Sequence, residues 1–120
     1  MISRMRVIPG ISHLPVEQLH AIPLGLLRSN ATRLHAVCRY RRGVRKKDGV
    51  SPSDVRCIDV HPYALTDEWS RYADFLLYHE YLHALGLSDH GREFRELESL
   101  WPDTEARSMG ERFGMHLRER

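Results

Sequence analysis

Residues 79–90 read HEYLHALGLSDH. Three histidines, a glutamate, an aspartate and a glycine follow directly on the apolar run FLLY (75–78). His79 and His83 are four apart. At 3.6 residues per helical turn that spacing stacks both imidazoles on one face. Two imidazoles so placed can bind one Zn2+ at ~2.0–2.1 Å each. Glu80 lies ~100° further round the helix, so it is placed to take a proton from a metal-held water rather than to ligate. The competing account is an ordinary helix whose histidines are satisfied in the core or at the surface. The apolar flanks favour a site, because imidazoles and a carboxylate without partners are costly to bury.

The helix can be traced outward from this point. Thr66 is a candidate cap, with Asp67 and Glu68 in the first turn where the helix dipole favours acids. Trp69 through Leu85 is apolar enough for burial on more than one side. Gly86 can adopt a left-handed conformation and end it. A second helix is expected from Ser88 or Asp89 to Trp101, with Pro102 as the stop. A third is expected from Asp103 or Thr104, with Ala106, Met109 and Phe113 on one stripe.

A catalytic zinc needs a third protein ligand and an open position. Asp89, His90, Glu93 and Glu98 are the candidates. On the second helix His90, Phe94, Leu97 and Trp101 fall within ~40° of one another, which turns His90 inward beside the turn. Glu93 and Glu98 flank that stripe by ~60–80° and could be solvated. Asp89 could simply cap the second helix. His90 is the favoured third ligand, and the carboxylates stay open as alternatives.

Upstream, LHAVCRY (34–40) and VRCIDV (55–60) read as two strands, joined by the breaker-rich loop GVRKKDGVSPSD (43–54). They could pair antiparallel. Residues 1–30, with Pro9, Gly10, Pro15, Pro23 and Gly25, read as short helices and turns that cover something else. The expected class is therefore α+β. One domain over 1–120 has a short mixed or antiparallel sheet packed on the active-site helix, then a ligand-bearing helix and a C-terminal helix over 103–120.

The net charge of +2 hides an asymmetry. Residues 1–60 carry 11 Lys and Arg against 4 Asp and Glu (+7), and residues 61–120 carry 7 against 12 (−5). The positive charge peaks in RYRRGVRKK (39–47), a run that can bind phosphates but is more often a solvated strand end. Tyr40 is its one aromatic, which is thin for a single-strand nucleic-acid binder. Cys38 and Cys57 lack CxxC spacing and read as free thiols. No apolar run approaches the ~20 residues of a membrane helix, and MISRMRVIPG has no signal-peptide core. A cytoplasmic location is expected.

FLLYHEYLHALGLSDHGREF (75–94) resembles the SprT-like zinc metallopeptidases, whose pattern is an HExxH helix, a turn, then HGxxF opening the next helix. IDVHPYAL (58–65) resembles the strand and turn that precede it there. The resemblance spans roughly residues 55–100. It implies a zincin-like fold, one Zn2+ held by His79, His83 and His90, and Glu80 as the base. It also implies a peptide or protein substrate that adds as a strand to a sheet edge, for which VRCIDV is the expected strand.

The length and layout are also similar to minimal gluzincin-type peptidases, which take a second-helix glutamate as third ligand; that keeps Glu93 and Glu98 in play. HALGL resembles the metzincins, in which Asp89 would ligate, although no Met-turn is evident. The spacing is close to that of the YbeY endoribonucleases too, but they carry glycine where Glu80 stands. Some SprT-like relatives act on proteins attached to DNA, which makes nucleic acid a second expected partner through Arg39–Lys47. His61 or a spare carboxylate could close the site as a fourth ligand. Residues 1–30 or the last helix could fill the cleft and hold the chain latent. Tyr63, Tyr78, Tyr81 and His61 are the residues considered for holding an oxyanion, each more simply packing.

Overall fold

A computed structural model describes residues 1–120. It contains four α-helices, α1 (Ile2–Arg6), α2 (Ser70–Ala84), α3 (Arg92–Ser99) and α4 (Met109–Glu119). Three strands, β1 (Leu24–Leu26), β2 (Ala36–Tyr40) and β3 (Val55–Val60), form one mixed sheet in the order β1-β3-β2. The α+β class therefore holds. No helix is long and apolar enough to cross a membrane.

In β3 only Arg56 is exposed, and Val55, Ile58 and Val60 enter the core. β2 pairs with it antiparallel, as the two-strand reading expected, and Arg39 bridges to Asp59 at 2.7 Å. β1 pairs with β3 in parallel on the other side. VRCIDV is thus the central strand and has no free edge, contrary to expectation. The strand that covers its other side, β1, is only three residues long and carries no strand signal of its own. A Cβ at Gly25 would lie 2.4 Å from Asp59 Oδ1, so any larger residue in β1 would have to displace that carboxylate.

The free edge next to α2 belongs to β2. His61 N donates to His35 O at 2.8 Å, so residues of odd number in β2 turn their backbone groups to β3. Ala36 and Cys38 turn theirs outward.

α2 is buried almost all round, by Tyr72, Phe75, Leu76, Tyr78, Tyr81 and Leu82. A 3₁₀ turn (Asp67–Trp69) leads into it. Thr66 does not cap the helix; its hydroxyl donates to Tyr63 O at 2.9 Å. Gly86, at φ +114°, ends α2 in a Schellman turn: Leu87 N donates to Leu82 O and Gly86 N to His83 O, both at 3.1 Å. A Cβ on Gly86 would stand 2.8 Å from Val50 O.

α3 and α4 start later than the sequence suggests. α3 begins at Arg92, and Asp89 Oδ1 accepts from Gly91 N at 3.0 Å, closing a short turn before it. α4 begins at Met109, although Ala106, Met109, Phe113 and Leu117 form the expected buried stripe. The first 22 residues contribute Ile2, Met5, Ile8, Ile11, Val16, Leu19 and Ile22 to the same core. They are part of the body of the fold rather than a cover laid over it.

Candidate metal centre

His79 and His83 project from the last turns of α2, and His90 meets them from the turn before α3. One nitrogen from each ring lies within 4.8 Å of the others. His83 Nε2 and His90 Nε2 are 3.1 Å apart. Two ligands of a tetrahedral zinc at ~2.0–2.1 Å stand about 3.3 Å apart, so the His83–His90 pair already has that separation, and the three donors could close on one ion. His90 belongs to a loop rather than to the helix on which the stripe argument placed it. It is exposed, and it forms the open side of the cluster.

The two helix histidines are held from behind. His79 Nδ1 donates to Glu98 Oε2 at 2.5 Å. His83 Nδ1 donates to Leu87 O at 2.7 Å, a carbonyl presented by the Gly86 turn. With Nδ1 protonated, each ring keeps an Nε2 lone pair for the cluster. An imidazole backed by a carboxylate or carbonyl is the usual arrangement behind a metal-binding histidine. Phe94 is 1 % exposed and packs on all three rings, with centroids 4.7 Å from His83, 4.8 Å from His79 and 4.9 Å from His90. Burial lowers the His83 pKa to about 4, which keeps the ring neutral at pH 7.

Glu98 is therefore the partner of a candidate ligand and lies outside the three-histidine cluster. The expectation that it could be solvated is wrong: it is 7 % exposed. Burial opposes its charge, but the His79 bond and then Arg107, 3.5 Å from Oε1, hold its pKa below the ordinary carboxylate range. Glu93 is exposed and outside the cluster, and Asp89 is occupied by the Gly91 turn.

Glu80 is 6 % exposed, with Oε2 3.9 Å from His79 Nε2. Burial raises its pKa, while His79 and the backbone N–H of Cys38 pull the other way. It therefore sits between the cluster and the free edge of β2. Cys38, whose thiol is pushed up to about 12 chiefly by burial, stays protonated beside it.

A groove crosses the cluster. On one side a cavity of about 250 Å3 is lined by β2, Lys46, Glu80 and the three histidines. On the other a cavity of about 320 Å3 shares Ala36, His79 and Glu80 and extends to Arg33, His35 and Arg107. No residue of 1–30 lines either cavity, and of the C-terminal segment 103–120 only Arg107 does, on the wall of the second, so neither segment fills the cleft.

Several sequence assignments change role. His61 is fully buried; Nε2 donates to Ala31 O at 3.0 Å and Nδ1 accepts from Tyr63 N at 3.2 Å. Both nitrogens are used, so it is no fourth ligand. Tyr78 is spent on Leu97 O at 2.5 Å, Tyr81 is core, and Tyr63 lies under Arg120. The tyrosines at the groove are instead Tyr40, under the Lys46 ammonium, and Tyr72, whose hydroxyl is 2.6 Å from His35 Nδ1. His35 had no local pattern to mark it, since it reaches α2 only through the sheet. In the basic segment Arg39 is paired with Asp59 and Arg41 donates to Ser53 O at 2.9 Å, which leaves Arg42, Arg45 and Lys47 without ion pairs. No protein-family model, curated protein or solved structure matches the chain.

Proposed function

We propose that this chain is a zinc-dependent peptidase of the SprT-like, zincin kind, with His79, His83 and His90 as ligands and Glu80 as general base. The observation that carries the reading is the pair of backed imidazoles on one helix face, converging with His90 beside a buried glutamate. Bound zinc would polarise the scissile carbonyl and lower the pKa of its water towards ~7.

The chain's own groups supply the rest. Glu80 accepts a proton from the attacking water and returns it to the leaving nitrogen. Glu98 and the Leu87 carbonyl hold the two helix imidazoles in one tautomer throughout. The outward backbone groups of Ala36, with the Cys38 carbonyl, can pair with an extended peptide laid along β2, in place of the VRCIDV edge first expected. That register draws the peptide across Glu80, whose carboxylate already takes the Cys38 N–H.

The test compares wild type with Glu80→Gln, both loaded with one zinc per chain, on an unfolded protein substrate. Wild type is expected to cleave, and the variant to keep its zinc and lose cleavage by at least ~10²-fold. Cleavage at the wild-type rate by Glu80→Gln removes Glu80 as base. No cleavage by zinc-loaded wild type, or no zinc binding, overturns the reading.

A further inference from the structure

The half of the groove beyond Ala36 has a chemistry of its own. Its floor is apolar, made by Phe75 and Leu76 with the Tyr72 ring. Its volume of about 320 Å3 is at the lower end of the roughly 300–1,000 Å3 that encloses small ligands. Two guanidinium groups stand at its mouth.

Arg33 is exposed and makes neither an ion pair nor a side-chain hydrogen bond. Arg107 has a single ion pair, 3.5 Å from Glu98 Oε1, and the other Glu98 oxygen is already engaged by His79 at 2.5 Å. Two carboxylates share the wall, but neither is free to neutralise Arg33: Glu98 is held between His79 and Arg107, and Glu80 is buried under β2. His35, the other polar group on this side, is tied to the Tyr72 hydroxyl. At the opposite end of the groove the one formal charge outside the cluster is Lys46. The groove is therefore cationic at both ends of its buried centre.

We propose that this half of the groove is a subsite for an acidic residue of an extended peptide, with Arg33 and Arg107 gripping the carboxylate and Phe75 and Leu76 receiving the methylenes. A guanidinium matches a carboxylate with two parallel N–H···O bonds, which a lysine or glutamine side chain cannot accept in its place. The assignment rests on the peptidase reading for its context, yet it can be measured without cleavage.

The experiment uses zinc-loaded Glu80→Gln protein and fluorescein-labelled extended peptides in which each position in turn is Glu, Gln or Lys. Fluorescence anisotropy reads the affinity. At one position Glu is expected to bind about tenfold tighter than Lys, and Arg33→Glu to abolish or invert that ratio. Equal binding of the Glu and Lys peptides at every position, no binding of any peptide, or a preference that survives in Arg33→Glu with Arg107→Gln, overturns the proposal. Wild type that cleaves peptides without charge preference also overturns it and leaves the peptidase reading intact. Wild type that cleaves nothing while the Arg33-dependent preference persists sinks the peptidase reading and leaves the acidic subsite standing. A single-stranded oligonucleotide that binds through the same two arginines more tightly than any peptide reassigns the surface to nucleic acid and overturns it.

Discussion

On the zinc reading proposed above, replacing Glu98 by alanine separates a candidate ligand, His79, from the group that holds it. The carboxylate accepts from His79 Nδ1 at 2.5 Å and is 7 % exposed, so water cannot readily take its place. Its removal frees the ring to turn and to shift its proton to Nε2, the nitrogen needed for zinc. Loss of such a partner lowers metal affinity by roughly 10–100-fold, or ~1.4–2.7 kcal/mol. Glu98→Gln keeps an acceptor oxygen without the charge, and about tenfold or less is expected. Arg107→Gln loosens Glu98 only from its far oxygen, 3.5 Å away, and should cost less again. The assay is competition for zinc against a chelating dye at pH 7.5, with the thermal melt of the metal-free protein as control. Glu98→Ala binding zinc within twofold of wild type, with a normal melt, would refute the reasoning. A loss beyond 10³-fold would refute it from the other side, by making Glu98 a ligand.

The remaining predictions concern the frame around the cluster. Phe94→Ala should cost ~3–5 kcal/mol in urea unfolding and loosen zinc in the same variant, because the 1 % exposed ring packs on all three imidazoles; a cost below ~1 kcal/mol would contradict this. Gly86→Ala should destabilise by more than ~1 kcal/mol, since φ is +114° and the new Cβ meets Val50 O at 2.8 Å, and equal urea midpoints would show the turn relaxes freely. Metal-free protein should lose stability as the pH falls from about 6.5 towards 4. Burial lowers the folded-state pKa of His83 to about 4 and also lowers those of His35 and His61, so the unfolded chain binds protons first. Glu80, raised by burial, opposes this with one group against three. A urea midpoint at pH 5 equal to that at pH 7.5 would mean these rings are not buried neutral.

The HExxH helix was legible because its information is local. HExxH spacing, the apolar flanks and Gly86 are all read within twenty residues, and α2 and its Schellman turn follow from them. β3 was legible for the same reason. What the sequence hid depends on distant partners. β1 is too short and too poor in β-formers to announce itself, and it exists because Pro23 O and Leu27 N find the far edge of β3. Once it pairs there, the free edge passes to β2. Glu98 looks like any surface glutamate on an amphipathic helix. Only the packing of α3 on α2 turns it onto His79. The late starts of α3 and α4 reflect turn chemistry, with Asp89 and Ser108 bonding their own neighbourhoods before the helices begin.

The seating of the first 22 residues also bears on how this chain matures. Arg4 pairs with Asp74 and lies 4.4 Å over the Trp101 ring, and Gly10 packs under Leu97. Part of this segment, Val16–Ala21, meets Pro52–Asp54, but Arg4 and Gly10 wait for Asp74, Leu97 and Trp101, up to some ninety residues further along. Contacts of that span slow folding. The same late segment brings His90 and Glu98, so the histidine cluster and this part of the core depend on one stretch of chain. An amino-terminal fusion that restrained the opening segment would then disturb assembly of the cluster, although it touched none of its atoms.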